Sequence, residues 1–158
     1  MSKIDSFLAF HASNEENEMK FILHDGGRAA AGYKGDAGDC VVRAIAIATE
    51  QPYKKVYDTL FSLNKFQRGR LRGRSPRDGG TSMNTIKTYL SSMGWTWTPT
   101  MRIGSGCKVH LRKNELPMGR LIVRVSKHLV AVIDGVIYDT YNPSRCATRC
   151  VYGYWSKK

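Results

Sequence analysis

The sequence predicts an α+β fold in which N-terminal helices pack on a C-terminal antiparallel β-sheet. Three observations predict it. Hydrophobic residues recur at helical spacing between residues 40 and 93, short β-rich runs follow from Trp95 onward, and Asp134-Gly135 separates two of those runs as a hairpin turn does. The 158 residues suffice for one domain, 1–158, with its own core, and 42 % hydrophobic with 24 % charged residues is ordinary for a folded chain. No internal repeat or linker divides it.

Residues 1–38 read as a lead-in, because Gly26 to Gly38 is dense in glycine and carries no apolar period. Cys40 to Thr49 is apolar on almost every side and too long for a typical strand, so it reads as a central helix with Asp39 as N-cap. Pro52 suits a first helical position, and Tyr53, Val56, Tyr57, Leu60 and Phe61 give an amphipathic helix to about Leu63. A basic loop, 65–80, follows. Thr81 or Ser82 then caps a third helix bearing Met83, Ile86, Tyr89, Leu90 and Met93, which Gly94 stops. Trp95 to Thr98, Leu121 to Val125, His128 to Ile133 and Val136 to Tyr141 read as strands.

The N-terminus has no basic leader followed by a long apolar run, and no window is continuous enough to span a bilayer, so no membrane association and a cytoplasmic location are expected. In that setting Cys40, Cys107, Cys146 and Cys150 read as reduced thiols before disulfides. Their possible roles are catalysis, metal binding or inert burial.

A thiol attacks as thiolate, which the positive end of a helix favours, and Cys40 opens the central helix. The residues on its face, Ala44 and Ile47, are apolar, so a base must come from elsewhere. His128 is the best candidate: a polar imidazole opening the otherwise apolar strand to Ile133. A two-residue Asp-Gly turn places Tyr141 opposite His128 and Asp139 opposite Val130. Asp139 is then a diagonal neighbour of His128, at about 7–8 Å. A loop longer by one residue places Asn142 opposite His128 instead. Either side chain could hold the imidazole in its productive tautomer, the third member's task in a catalytic triad. The shorter turn favours Asp139.

Gly38-Asp39-Cys40 leading into an apolar helix, Gln51-Pro52-Tyr53 leading into an amphipathic one, and His128 to Gly135 much later resemble the papain-like cysteine peptidase superfamily, in particular its small, uncharacterised members in bacteria and their phages. The resemblance runs from about residue 33 to the C-terminus. It implies a papain-like fold with Cys40 as nucleophile, His128 as general base, and Asp139 or Asn142 as orienter. It also implies a peptidase, isopeptidase or amidase acting on a protein or peptide substrate, without a cofactor, in the host cytoplasm if phage-encoded. Such enzymes usually carry a glutamine shortly before the cysteine, whose amide completes the oxyanion hole with the cysteine N–H. Tyr33, Lys34 and Asp36 stand there in this chain. Either Tyr33 or Lys34 substitutes, or the hole is incomplete, and loss of one such donor costs about 10²–10³ in rate.

The net charge of +12 is partly concentrated in Arg68, Arg70, Arg72, Arg74 and Arg77. Such a loop attracts nucleic acid or an acidic protein, so the alternative function is a weak or inactive papain-like fold acting as a phage-type binding or modulator protein. Cys107 with His110, and Cys146 with Cys150, are pairs of zinc-compatible type and spacing. Their flanks carry no zinc-knuckle signature, and no metal is expected. The aromatic residues Trp95, Trp97, Tyr138, Tyr141, Tyr152 and Tyr154 could stack on bases, although the Trp-Thr alternation is explained by a half-buried strand.

Overall fold

The computed structural model describes residues 3–4, 15–35, 37–66, 75–76 and 81–158. Arg68, Arg70, Arg72, Arg74 and Arg77 of the basic loop lie outside them. The elements are β1 (Lys20–Leu23), α1 (Cys40–Thr49), α2 (Tyr53–Asn64), α3 (Met83–Ser92), β2 (Trp95–Pro99), β3 (Arg120–Val125), β4 (His128–Ile133), β5 (Val136–Asp139) and β6 (Val151–Lys157). The fold class is α+β, with one six-stranded mixed sheet.

Every residue of α1 from Val41 to Ala48 is buried, as expected of a helix that is apolar on nearly all sides. Asp39 is its N-cap residue, but its side chain makes no capping hydrogen bond. In α2, Pro52 is the N-cap with extended ψ (136°), so the helix begins one residue later than the proline suggests. Its buried residues Tyr53, Val56, Leu60 and Asn64 follow the i, i+3, i+4 rule. Ser82 caps α3 by accepting a 3.2 Å hydrogen bond from the Thr85 N–H, and Gly94, at φ 81°, allows the chain to turn out of it.

The strand order is β1-β5-β4-β3-β6-β2. β1 pairs with β5 in parallel and all other pairs are antiparallel. Two features correct the sequence reading. The lead-in contributes an edge strand, so the sheet is neither wholly C-terminal nor wholly antiparallel. β5 ends at Asp139, and Thr140 and Tyr141 leave the strand. In the β4–β5 hairpin Ile133 faces Val136, Val132 faces Ile137 and Ala131 faces Tyr138. Asp134 (φ 48°) and Gly135 (φ 75°) form its two-residue turn, with the positive φ at both positions that such turns require.

Helices cover one face of the sheet, where Val42, Ile45, Leu60, Ile86 and Leu90 meet Ile122, Leu129, Ala131 and Trp155. On the other face Leu121, Val123, Val130, Val132, Ile137 and Val151 pack with Leu111 and Met19. Gly153 lies under Trp97, and a Cβ there would sit 2.4 Å from the indole ring. The absence of a side chain in mid-strand lets Trp97 reach Trp155, with ring centroids 4.3 Å apart.

Cys107 and Cys150 form a disulfide with a Cα separation of 5.8 Å, which corrects the reading of all four thiols as reduced. An antiparallel bridge between His110 and Cys150 brings the two segments side by side. Cys40 and Cys146 are free. No helix among the described residues is long and apolar enough to cross a membrane.

Candidate active site

Three element ends converge: the first residue of α1 (Cys40), the first of β4 (His128) and the last of β5 (Asp139). His128 and Asp139 are both buried, and His128 Nε2 lies 2.6 Å from Asp139 Oδ2. The two-residue hairpin turn brings them together diagonally, as the register predicts. Tyr141 continues past the strand end to cover the imidazole, its ring centroid 5.2 Å away and its hydroxyl 3.4 Å from Nδ1. Asn142 serves its own turn, accepting a 3.0 Å hydrogen bond from the Ser144 N–H.

Cys40 is half-buried. Burial pushes its thiol pKa up. The hydrogen bond and positive charge of His128, the Leu129 N–H and the Arg43 charge outweigh that and hold it below the ordinary thiol value. For His128 burial acts downward, while hydrogen bonds to Asp139 and Cys40 and the negative charge of both raise its pKa to about 9. With Nε2 engaged by Asp139, the hydrogen bond between Cys40 and the imidazole falls to Nδ1, which also lies near the Tyr141 hydroxyl. This environment favours a thiolate beside an imidazolium.

Asp39 explains why α1 lacks a side-chain cap. Its carboxylate is fully buried and accepts from Arg28 Nη1 (3.2 Å), from Arg43 Nη1 and from the Tyr53 hydroxyl (2.5 Å). Arg43 also reaches Asp139 Oδ1 at 3.4 Å. A continuous buried network therefore runs from Arg28 through Asp39, Arg43 and Asp139 to His128. Arg28 further donates to the Gly35 and Lys34 carbonyls, each at 3.1 Å, and so ties the glycine-rich lead-in to α1. The lead-in comes this close because residue 26 is glycine: at φ 74°, a Cβ there would meet Arg43 Cα at 2.9 Å. The turn register placed Tyr141 opposite His128, but nothing in the sequence reading assigned a place in this network to Arg28, Arg43 or Tyr53. One signal was available, since Arg43 is the sole charged residue in α1 and a buried arginine implies a buried partner.

Cys40 and His128 open onto a cleft of about 350 Å³ between the N-terminal ends of α1 and α3 and the β3–β4 turn. Tyr33 and Lys34, the two expected oxyanion donors, do not line it. The Tyr33 ring packs on Tyr53 and Tyr57, with centroids 5.1 and 5.2 Å apart, and the Lys34 carbonyl is engaged by Arg28. The zinc-compatible residues are not gathered either. Cys107 and Cys150 are bonded to each other, Cys146 is exposed, His110 Nδ1 lies 3.3 Å from Glu115, and the described residues hold no cluster of three or more His, Cys, Asp or Glu. Comparison with protein-family models, curated proteins and solved structures finds no match.

Proposed function

We propose that the chain is a papain-like cysteine hydrolase, acting as a peptidase, isopeptidase or amidase through Cys40, His128 and Asp139. The observation that carries this reading is the buried 2.6 Å His128–Asp139 contact beside a free cysteine at a helix start whose pKa is lowered. The Cys40 thiolate adds to the carbonyl carbon, forming the C–S bond and placing negative charge on oxygen. The Cys40 N–H, at the positive start of α1, is the backbone donor that receives that charge in this reading. The imidazolium Nδ1–H protonates the leaving nitrogen as the C–N bond breaks, leaving a thioester. Neutral His128 then takes a proton from water, the water oxygen bonds the carbonyl carbon, and the C–S bond breaks to give the acid and the regenerated thiolate. Asp139 keeps Nδ1 turned toward the sulfur throughout. With neither Tyr33 nor Lys34 in the cleft, turnover is expected to be slower by about 10²–10³ than with a side-chain oxyanion donor.

The test is to incubate the protein with an activated acyl ester and locate the acyl group by peptide mass. Stoichiometric acylation of Cys40 that disappears in Cys40→Ser and slows at least a hundredfold in His128→Ala supports the hydrolase. Acylation spread equally over Cys40 and Cys146 rejects it. A second reading, a binding protein of the same fold, draws on the missing upstream glutamine and the +12 charge. It predicts affinity for nucleic acid or an acidic protein that falls steeply with salt.

A further inference from the structure

Around the reacting pair the cleft has two distinct surfaces. Val41, Met83, Ile86, Val125 and Leu129 form an apolar floor. Arg124 and Lys127 stand on the wall formed by the β3–β4 hairpin, and no Asp or Glu among the described residues lines the cleft. Neither cation has an ion pair among the described residues, and the guanidinium of Arg124 lies 5.7 Å over the Tyr152 ring, which orients it without neutralising it. Lys127 occupies the two-residue turn between β3 and β4 at φ 55°, a left-handed conformation uncommon for a residue with a side chain. That turn is braced from behind, where Arg149 Nη2 donates to the Ser126 carbonyl, so Lys127 is presented from a fixed position next to His128. Opposite, Thr81 Oγ1 is buried without a hydrogen-bond partner among the described residues. Among the described residues the charged and titratable groups facing the cleft are Arg124, Lys127, His128 and Cys40.

We infer that this cleft selects an acyl group carrying a carboxylate on a short aliphatic stem, as in a peptide with an acidic residue beside the scissile amide. The inference rests on the hydrolase reading and names its substrate class. The apolar floor takes the stem, and Arg124 and Lys127 take the carboxylate. A volume of about 350 Å³ is at the small end of the range for ligand pockets, which suits one or two residues. One half-buried and one exposed cation act through water and salt, so selectivity of several-fold is expected at low ionic strength, declining as salt is added.

Alkylation of Cys40 by iodoacetate, which carries a carboxylate, and by neutral iodoacetamide reads this field without requiring turnover. Dividing the first rate by the second removes any change in the thiol itself. The ratio at Cys40 should exceed that at Cys146 in the same sample, fall at least threefold in Arg124→Gln with Lys127→Asn, and fall likewise in high salt. Glutamine keeps most of the arginine stem, and asparagine tolerates the left-handed turn, so both variants are compatible with the fold. A ratio unchanged in the double variant overturns the inference while leaving a reactive Cys40 intact. Failure of both reagents to label Cys40 ahead of Cys146 removes the thiolate, and with it the hydrolase reading and this inference together.

Discussion

At His128 the contacts proposed to serve chemistry also set a pH dependence of stability. Its pKa is raised from 6.5 to about 9 in the folded chain, so folding strengthens proton binding. The stabilisation is fully present below 6.5 and is lost as pH rises through about 9. Cys40 has the opposite sign: its lowered pKa contributes stability at high pH that is lost as pH falls through its folded value. Urea unfolding of the wild type and His128→Ala between pH 6 and pH 10 should therefore show a difference that shrinks through the alkaline part of that window. A difference independent of pH would mean that His128 is not protonated in the fold. Asp139→Asn keeps the shape but replaces a charged acceptor with a neutral amide. It should lower the His128 pKa, slow Cys40 alkylation near pH 6 by tenfold or more, and change labelling near pH 10 much less.

Helix α1 is held to the sheet and the lead-in by buried ions as well as by its apolar faces. Asp39 is fully buried among Arg28, Arg43 and Tyr53, so Asp39→Ala leaves two guanidinium groups without their shared anion, at a cost of about 3–5 kcal/mol. The exposed Lys54–Asp58 pair on α2 is the contrast, and Lys54→Ala should leave the urea midpoint unmoved. In β6, Gly153→Ala drives a methyl group into the Trp97 ring, and about 1–3 kcal/mol of destabilisation is expected from the same measurement. The elements legible from sequence are those with a strong period or a defined punctuation mark. They include α1 from its continuous apolar run, α3 from Ser82 and Gly94, and the β4–β5 hairpin from Asp134-Gly135. β1 escaped because four residues with two exposed ends carry no period above background. β6 was less visible because Gly153 interrupts its alternation, although Val151, Gly153 and Trp155 do share the buried positions.

Across the whole molecule, the site depends on contacts whose sequence separation hides them. Cys40, His128 and Asp139 were legible because a helix start, a strand start and a fixed turn register each leave a local mark. The Arg43–Asp139 contact spans 96 residues and leaves none except an arginine among apolar neighbours. The Cys107–Cys150 pair, 43 residues apart, was hidden for the same reason, since cysteine pairing cannot be deduced from spacing alone. Cys107→Ser with Cys150→Ser should cost about 2–4 kcal/mol in urea while leaving Cys40 as the preferred labelling site, because neither bonded cysteine lines its cleft. The central claim is a thiolate–imidazolium pair between Cys40 and His128. Its most direct test is the pH profile of iodoacetamide labelling, mapped by peptide mass, in the wild type and in His128→Ala. Cys40 is expected to label rapidly near pH 6, far ahead of Cys146, and to lose this advantage in the mutant. Labelling of Cys40 no faster than Cys146, or equally fast without the histidine, would contradict that claim.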